Sequence, residues 1–316
     1  MDLDDLLDRL HVVALPMRMR FRGITTREVA LIDGPVGWGE FGAFGEYEPN
    51  EAARWLASGI ESAYTAAPPA LRTSIPINAT VPAVPVDRVP EVLARFPGAR
   101  TAKVKVAESG QTLADDVARV EAVRAVIPVV RVDANGGWSV EQAVTAAAAL
   151  TDGGPLEYIE QPCRTVAELA QVRRRIGVPV AADESIRRAD DPLAVVRAGA
   201  ADIAVLKVAP LGGVRALLDI AAAIDVPVVI SSALDSAVGI ASGLAAAAAL
   251  PHLQHACGLG TGGLFVQDVA ELRAVDGYLP VRAAVPDPAR LAALAAPADR
   301  RDIWIARVKD CWAWLR

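Results

Sequence analysis

The stretch "ARTAKVKVAES", residues 99–109, contains the pattern on which the fold assignment rests. Within it, Val104 and Val106 alternate with Lys103 and Lys105, which is the two-residue period of a β-strand. Residues two apart point to the same face of a strand, so the two lysines lie side by side. Such a pair is either solvated or turned toward a site that binds it, and the surrounding sequence bears on that choice.

From residue 75 onward, short runs rich in β-branched residues alternate with alanine-rich runs of helical period. Predicted strands cover residues 75–81, 101–106, 129–135, 156–162, 178–185, 201–208, 226–233 and, more weakly, 253–260. Strands that alternate with helices form parallel βαβ units, so the predicted fold class is α/β. Eight such strands favour a closed (β/α)8-type barrel. A doubly wound open sheet is the alternative, but no GxGxxG motif follows an early strand.

The chain divides into three predicted parts. Residues 1–74 are predicted to form an N-terminal α+β domain, residues 75–263 the barrel, and residues 264–316 a C-terminal segment that packs back on the first part. In the N-terminal part, strands broken by a turn at 33–35 precede a helix over 51–67. Three tryptophans of the C-terminal segment are predicted to form its contact with the N-terminal part: Trp304, Trp312 and Trp314.

The composition is that of a globular protein, with 53% hydrophobic and 22% charged residues. A net charge of −6 without a lysine- or arginine-rich tract argues against nucleic acid as a partner. No apolar run approaches the ~20 residues of a membrane span, and the acidic "MDLDDLLDRL" lacks the features of a signal peptide. Cys163, Cys257 and Cys311 form no CxxC motif and predict a reducing cytoplasm without disulfides.

Charged residues end successive predicted strands, and active sites of parallel barrels lie at those ends. They follow one another at intervals of roughly one βα repeat, so we expect them to converge on one mouth. In chain order they are Lys103 and Lys105, Asp133, Glu160, Asp183 and Lys207. Each motif alone has an ordinary structural explanation, such as a solvated lysine pair or a helix N-cap. Their common register favours a site.

Three carboxylates on adjacent strands repel one another unless a divalent cation lies among them. All-oxygen ligation suits a hard ion, so Mg²⁺ is predicted first and Mn²⁺ second. His255 lies in the wrong place for a zinc ligand and is predicted to be structural. Lys105 and Lys207 come from opposite walls, and a nearby cation with partial burial favours a neutral lysine base. The predicted chemistry is removal of a proton next to the carboxylate of a small-molecule substrate.

Taken together, the motifs resemble the muconate-lactonising subgroup of the enolase superfamily. Members of that superfamily use a Lys or His base with Mg²⁺. The matching motifs are KxK, "DAN", "IEQP", "ADES" and "VLKVAPLGG". The resemblance implies a (β/α)7β barrel under a capping domain built from the N-terminal part and the C-terminal tail. A narrower resemblance is to a family of enzymes of menaquinone biosynthesis. It rests on the compact cap and on the stretches "FRGITTRE", "GWGEF", "RVDANGGW" and "SSALDSAVGIA". Members of that family dehydrate 2-succinyl-6-hydroxy-2,4-cyclohexadiene-1-carboxylate to o-succinylbenzoate.

The resemblance also implies residue roles. Asp133, Glu160 and Asp183 are expected to ligate Mg²⁺. Lys105 is expected to remove the α-proton and to protonate the departing hydroxyl on the same side, which is a syn dehydration. Lys207 is expected to stabilise the enediolate as a cation on the opposite face.

Further residues are expected to support this chemistry. Lys103 is expected to tune Lys105, while Asn135 and Glu184 hold the ligands from behind. Residues expected to contact substrate, from the barrel loops and from the cap, are Ser231, Ser232, Gly258, Leu259, Gly260, Thr261, Thr25 and Arg27.

Other functions fit the same residues. An N-succinylamino acid racemase or a dipeptide epimerase would use both lysines, one on each face of the α-carbon. A lysine Schiff-base aldolase would not need three strand-end carboxylates, and a non-catalytic scaffold would not need charges at every strand end. The sequence makes no prediction about the oligomeric state.

Overall fold

The structure is a computed structural model that describes residues 1–188 and 191–315. Its strands are β1 Leu10–Phe21, β2 Ile24–Asp33, β3 Trp38–Phe41, β4 Ser74–Pro76, β5 Asn78–Val81, β6 Thr101–Lys105, β7 Val129–Asp133, β8 Ile159–Glu160, β9 Val180–Ala182, β10 Ile203–Lys207, β11 Val228–Ser231 and β12 Tyr278–Pro280. Its α-helices are α1 Leu3–Asp8, α2 Pro49–Tyr64, α3 Val89–Leu93, α4 Leu113–Arg124, α5 Val140–Thr151, α6 Val166–Arg175, α7 Glu184–Arg187, α8 Ala194–Arg197, α9 Val208–Leu211, α10 Val214–Ala222, α11 Ala237–Ala249, α12 Pro288–Ala293 and α13 Ala298–Trp312. Short 3-10 helices cover Val86–Arg88 and Thr261–Leu264.

The barrel sheet confirms the predicted α/β class. β5 to β11 form one parallel sheet in chain order, with the intervening helices packed outside. The strands are shorter than predicted, and β8 consists only of Ile159 and Glu160, with Pro162 soon after it. Proline has no N–H to donate to a ladder, which limits the strand there.

The predicted eighth strand, residues 253–260, is not a strand in the structure. Cys257 and Gly258 instead form single parallel bridges to Ile77 and Ser231, at the two ends of the sheet. The Cys257 N–H donates to the Pro76 carbonyl at 2.7 Å, and the Gly258 N–H donates to the Ile230 carbonyl at 2.8 Å. The seam therefore closes the barrel as a (β/α)7β variant, and the glycines that follow Cys257 disfavour a longer strand.

The cap begins with an antiparallel sheet in the order β1–β2–β3. Arg22 and Gly23 join β1 to β2 in a tight turn with φ of 50° and 78°, a turn that the sequence analysis did not identify. The predicted turn at 33–35 lies between β2 and β3, where strand pairing ends at Asp33. The predicted helix over 51–67 is α2, which starts earlier because Pro49 occupies its first turn.

The C-terminal segment returns to the cap through α13, which packs against α2 and β1. The Trp304 ring meets the edge of Phe41 with centroids 5.5 Å apart, and its Nε1 donates to Glu28 at 3.1 Å. Trp312 is partly buried against the same core, but the prediction for Trp314 was wrong because 63% of it is exposed. Part of this segment stays with the barrel, since β12 pairs with β4. The exact domain boundaries stay a prediction.

The remaining class predictions concern cysteines and membranes. All three cysteines are buried free thiols. Over residues 1–188 and 191–315, every helix is too short or too polar to cross a bilayer.

Two glycines allow the cap helix to touch the cap sheet. A Cβ on Gly39 of β3 would overlap the carbonyl oxygen of Gly59 in α2. We therefore expect Gly39→Ala to destabilise the protein by about 1–3 kcal/mol through overpacking. Gly37→Ala is the matched control, because its Cβ would meet only the Ser62 oxygen at 3.6 Å. Thermal unfolding of both variants tests this, and an equal change in Tm would contradict the packing argument.

Candidate active site

Strand register brings the first charged residues to one level of the barrel. β6 and β7 pair with Lys105 opposite Asp133, and β7 and β8 pair with Asp133 opposite Glu160. Because the side-chain period of a strand is two, Val104 faces outward and is fully buried, while both lysines face the barrel interior. The lysine pair is therefore not a solvated surface.

Lys103 bridges two buried carboxylates. Its Nζ donates to both Glu160 oxygens at 2.9 and 3.0 Å and lies 3.3 Å from Asp133 Oδ2. The Lys103 residue is 6% exposed, Asp133 1% and Glu160 0%. A buried carboxylate of this kind is tolerated only with a cation against it. Lys103 therefore holds the first two strand-end carboxylates together.

Lys105 lies nearer the opening of the barrel. Its Nζ donates to Asp133 Oδ2 at 2.5 Å and to Asn135 Oδ1 at 2.6 Å. The Asn135 amide in turn donates to Glu184 Oε1 at 3.1 Å, which links Lys105 to the far carboxylate. Since 15% of the Lys105 side chain is exposed, its ammonium group is the more accessible of the pair.

The opposite wall carries a second charge cluster. Lys207 Nζ donates to Asp183 Oδ2 at 2.5 Å, and Arg187 Nε donates to Asp183 Oδ1 at 3.0 Å. Another Arg187 nitrogen donates to Glu184 Oε1 at 2.6 Å, and a third donates to the Tyr47 hydroxyl of the cap. Asp183 thus has cations on both oxygens, and Arg187 ties the barrel mouth to the cap.

Burial and neighbouring charge set the protonation of the first cluster. Burial and the negative charge of Asp133 raise the pKa of Glu160 to about 7, because the opposing cation is shared. For Asp133, burial is outweighed by Lys105 and Lys103, so its pKa lies well below its usual range. Burial opposes ionisation of Lys103, but Glu160 and Asp133 raise its pKa above the usual value. Lys103 is therefore a fixed cation, and its predicted tuning of Lys105 stays a prediction.

The second cluster behaves differently. Burial disfavours the charge on Asp183, but Lys207 and Arg187 lower its pKa to about 2. Burial lowers the pKa of Lys207, and Asp183 offsets this only in part. Lys207 is therefore a cation that gives up its proton more readily than an ordinary lysine.

The cations of both clusters border one small cavity of about 40 Å³, and Asp133, Glu160, Asp183 and Glu184 lie behind them, outside its lining. Of the predicted site residues, its lining includes Lys103, Lys105, Asn135, Lys207, Ser231, Ser232, Gly258 and Thr261. The Ser232 hydroxyl donates to the Gly258 carbonyl at 2.9 Å and lies 2.8 Å from Thr261 Oγ1. The structure therefore brings the seventh strand end and the following loop to the lysines.

Four predicted substrate contacts lie elsewhere. Thr25 is exposed on β2, and Arg27 is buried behind the cavity wall with its Nε on the Leu234 carbonyl. Leu259 and Gly260 are buried below the loop and border a separate hollow with Phe96. Position along the loop did not distinguish residues that face the cavity from residues that face away.

Sequence reasoning missed several residues of the cavity lining, namely Phe21, Arg22, Thr80, Arg187, Ala233 and Leu234. Arg187 follows Asp183 by four residues, a spacing that places both on one face of a helical turn, so it had a usable signal. Phe21 and Arg22 begin the stretch "FRGITTRE", but they approach the barrel only through packing of the cap, which no sequence period indicates.

The donor set fits a hard cation in its chemistry, since Asp133, Glu160 and Asp183 are buried carboxylates on adjacent strands. Their present arrangement is one of ion pairs. In the described ranges, no three His, Cys, Asp or Glu side chains are grouped closely enough to hold a metal ion. Lys103, Lys105 and Lys207 supply the positive charge instead. His255, which was predicted to be structural, lies beside Glu157, with 2.8 Å between His255 Nδ1 and Glu157 Oε1.

Comparison with protein families gives matches over most of the chain. A family model described as "Enolase C-terminal domain-like" matches residues 89–286, and one described as "Enolase N-terminal domain-like" matches residues 12–63. Proteins named o-succinylbenzoate synthase from Mycobacterium marinum and Mycolicibacterium smegmatis are each 76% identical over 314 residues. These alignments cover 99% of this chain and 96% and 98% of the relatives.

Solved structures show the same fold at lower identity. The muconate lactonizing enzyme of Pseudomonas putida is 21% identical, with a TM-score of 0.74 over 91% of this chain and 98% of that one. The Pseudomonas fluorescens enzyme complexed with muconolactone is 22% identical, with a TM-score of 0.74 over the same shares. Both support the arrangement of a modified barrel with a cap.

The shared cation leads to a stability prediction. Lys103→Met leaves the buried carboxylates of Glu160 and Asp133 with less positive charge against them, so we expect the free energy of unfolding to fall by about 3–5 kcal/mol. Loss of Lys103 raises the pKa of Glu160 further above its wild-type value of about 7, so the penalty of the variant relative to the wild type grows as pH rises above about 7. Thermal unfolding at pH 5 and pH 8 should therefore show the larger loss at pH 8. Lys309→Met, at an exposed position of α13, is the control, and a pH-independent loss would contradict this account.

Proposed function

This chain belongs to the o-succinylbenzoate synthases of the enolase superfamily, and from that membership we propose a Mg²⁺-dependent syn dehydration as its mechanism. It is an enzyme, a carbon–oxygen lyase. The proposed substrate is 2-succinyl-6-hydroxy-2,4-cyclohexadiene-1-carboxylate and the product is o-succinylbenzoate, an aromatic precursor of menaquinone. The burial of all three cysteines as free thiols is in keeping with the predicted cytoplasmic location.

One observation carries the mechanism: Lys105 and Lys207 enter the same cavity from β6 and β10, on either side of the strands that bear the carboxylates. A planar substrate between them presents one ring face to each lysine. Lys105, the more exposed amine, is then placed to take the proton next to the substrate carboxylate. Its hydrogen bonds to Asp133 and Asn135 fix the direction of Nζ.

Departure of the hydroxyl completes the reaction. The same Lys105 ammonium group returns the proton to the leaving oxygen, which makes the elimination syn. Lys207, held by Asp183, faces the developing enediolate with positive charge. Aromatisation of the ring supplies the driving force, so the barrier to be lowered is that of the first proton transfer.

We assign the metal role to Asp133, Glu160 and Asp183, which would hold Mg²⁺ or, as a second choice, Mn²⁺. A bound ion would supply positive charge against the substrate carboxylate as its α-proton leaves. Asn135 and Glu184 contact the lysine and arginine that neighbour these ligands, so we expect them to hold the arrangement in place.

The cavity must open to admit the substrate, because about 40 Å³ holds no more than a water molecule or two. Ser231, Ser232, Gly258 and Thr261 line the cavity at the end of β11 and in the loop that follows the barrel seam, and we assign them to the succinyl arm.

A second candidate is N-succinylamino acid racemase or dipeptide epimerase activity. The observation in its favour is the lowered pKa of Lys207, since burial makes this lysine a possible second base. Racemisation needs both lysines to exchange protons, whereas dehydration needs only Lys105 to do so.

The first experiment is a spectrophotometric assay of substrate disappearance with Mg²⁺ and with EDTA. We expect turnover by the wild type only with the metal, and a loss of about 10²–10⁴-fold in Lys105→Ala. Lys309→Ala on the surface is the control. Absence of turnover by the metal-loaded wild type would reject the dehydratase assignment. Solvent ²H incorporation into N-succinylamino acids would then support the racemase.

Metal binding can be measured without turnover. Isothermal titration with Mg²⁺ should show one site in the wild type and at least about tenfold weaker binding in Glu160→Gln, because an amide removes a ligand charge. Glu157→Gln is the control, since Glu157 lies one layer deeper with Arg131 and His255. Equal affinity in all three proteins would contradict the ligand assignment.

A further inference from the structure

The wall of the catalytic cavity after β11 is held in an uncommon conformation. Leu234 lies in this wall with a φ of 62°, in the left-handed region that leucine rarely adopts. Such a residue persists only where its surroundings fix it. The groups that fix it come from the cap and lie outside the cavity lining.

Arg27 of β2 is the first of these groups. Its Nε donates to the Leu234 carbonyl at 3.1 Å, and its Nη2 donates to the Gly42 carbonyl. The guanidinium lies 4.1 Å from the centre of the Phe44 ring and is 2% exposed. Arg27 therefore connects the cap sheet to the cavity wall through one main-chain oxygen.

Glu40 of β3 is the second. Its Oε2 accepts from Ser236 N at 3.0 Å, from Ser236 Oγ at 2.5 Å and from Gly239 N at 3.2 Å, all at the start of α11. A Cβ on Gly239 would lie 3.0 Å from Glu40 Oε2 and 2.7 Å from Asp235 Cβ, so only glycine allows this approach. The segment 234–236 is thus clamped between two cap side chains.

Glu40 has two further carboxylates near it. Asp235 accepts from Ala233 N through Oδ2, while its Oδ1 is buried without a hydrogen-bond partner. Asp268 accepts from Ala237 N at the same helix end. The charged groups that act on Glu40 are Asp235, Asp268 and Arg27. Lys207 acts on Asp235, Arg290 acts on Asp268, and Arg22 and Arg307 act on Arg27.

We propose that Arg27 and Glu40 are positioning residues for the dehydration, and that the buried acidic pair Glu40 and Asp235 keeps the 231–236 wall closed against the substrate while it carries one negative charge rather than two. The inference rests on the proposed function only for its kinetic readout. Neither side chain lines the cavity, so each acts through the main chain of Leu234 or Ser236.

The sign of the pH effect follows from the charges. Burial and Asp235 raise the pKa of Glu40 to about 8, so this carboxyl keeps its proton at neutral pH. Because the folded-state pKa is raised, the stabilisation is full at low pH and is lost as pH rises through about 8. Ionisation then places two buried negative charges side by side, and the wall loosens.

The test compares wild type with Glu40→Gln, an isostere that cannot ionise. In the wild type we expect KM to rise with pH up to about 8, by up to about tenfold per pH unit, and to level off above it, with kcat less affected. In the variant this rise should be absent. Glu28→Gln is the matched control, because Glu28 is a cap carboxylate that pairs with Arg300 and Trp304 away from the cavity. It should lower the Tm while keeping the wild-type pH profile of KM.

A second readout needs no turnover. Amide hydrogen exchange of residues 231–239, corrected for the intrinsic rate, should lose protection as pH rises to about 8 in the wild type and in Glu28→Gln but not in Glu40→Gln. If Glu40→Gln does not fold, Asp235→Asn removes the same repulsion from the other side and should flatten both profiles. Identical pH profiles in wild type and in the folded variant would overturn the proposal. Loss of dehydratase activity in all proteins, with the exchange pattern as expected, would reject the proposed function alone.

Discussion

A carboxylate removed from water needs a cation against it, and this requirement organises the structure. At the barrel mouth, Asp133 and Glu160 share Lys103, while Asp183 lies between Lys207 and Arg187. None of these pairs exists within one strand. The lysine pairs depend on the order and register of the strands, whereas Arg187 reaches Asp183 within one helical turn. The order of the sheet therefore sets most of the charge balance of the site.

The requirement recurs below the mouth and beside it. In the barrel interior, the fully buried Arg131 pairs with Glu157 and lies 4.5 Å from the centre of the Tyr158 ring. At the junction with the cap, the buried Arg27 lies near the carboxylates of Glu40 and Asp235 and near Arg22 and Arg307. The first arrangement pairs one cation with one carboxylate, whereas the second buries the carboxyls of Glu40 and Asp235 close to each other. Burial of two neighbouring carboxyls makes protonation part of how the cap meets the barrel.

Sequence reasoning was strongest where a local period and a long-range rule agreed. The alternation around Lys103 and Lys105 identified a strand, and the strand-end rule of parallel barrels then placed Asp133, Glu160 and Asp183 near them. It failed where the local structure depends on long-range contacts that leave no periodic pattern in the sequence. The segment 253–260 became two bridges because only Cys257 and Gly258 meet the open edges of the sheet.

Arg27 illustrates a different limit. Its position near the site was predicted, but its direction was not, because the side chain is turned by Phe44 and by the Gly42 carbonyl. Trp314 was predicted to be buried from its residue type, yet α13 ends at Trp312 and leaves the later ring in solvent. Residue type gives a tendency toward burial, and the end of an element decides whether it is realised.

The cap is divided along the chain, with α13 separated from β1 and α2 by the whole barrel. Arg307 of α13 donates to the carbonyls of Ala43 and Phe44 at 2.7 and 2.9 Å, and thereby supports the ring on which Arg27 rests. During translation, these contacts can form only after every barrel strand has been synthesised. The usual order, in which an N-terminal domain folds first, therefore does not apply to this chain. The cap sheet and α2 lack the packing of α13 until synthesis reaches that helix, and a nascent chain stalled within the barrel has neither a finished cap nor a closed active site.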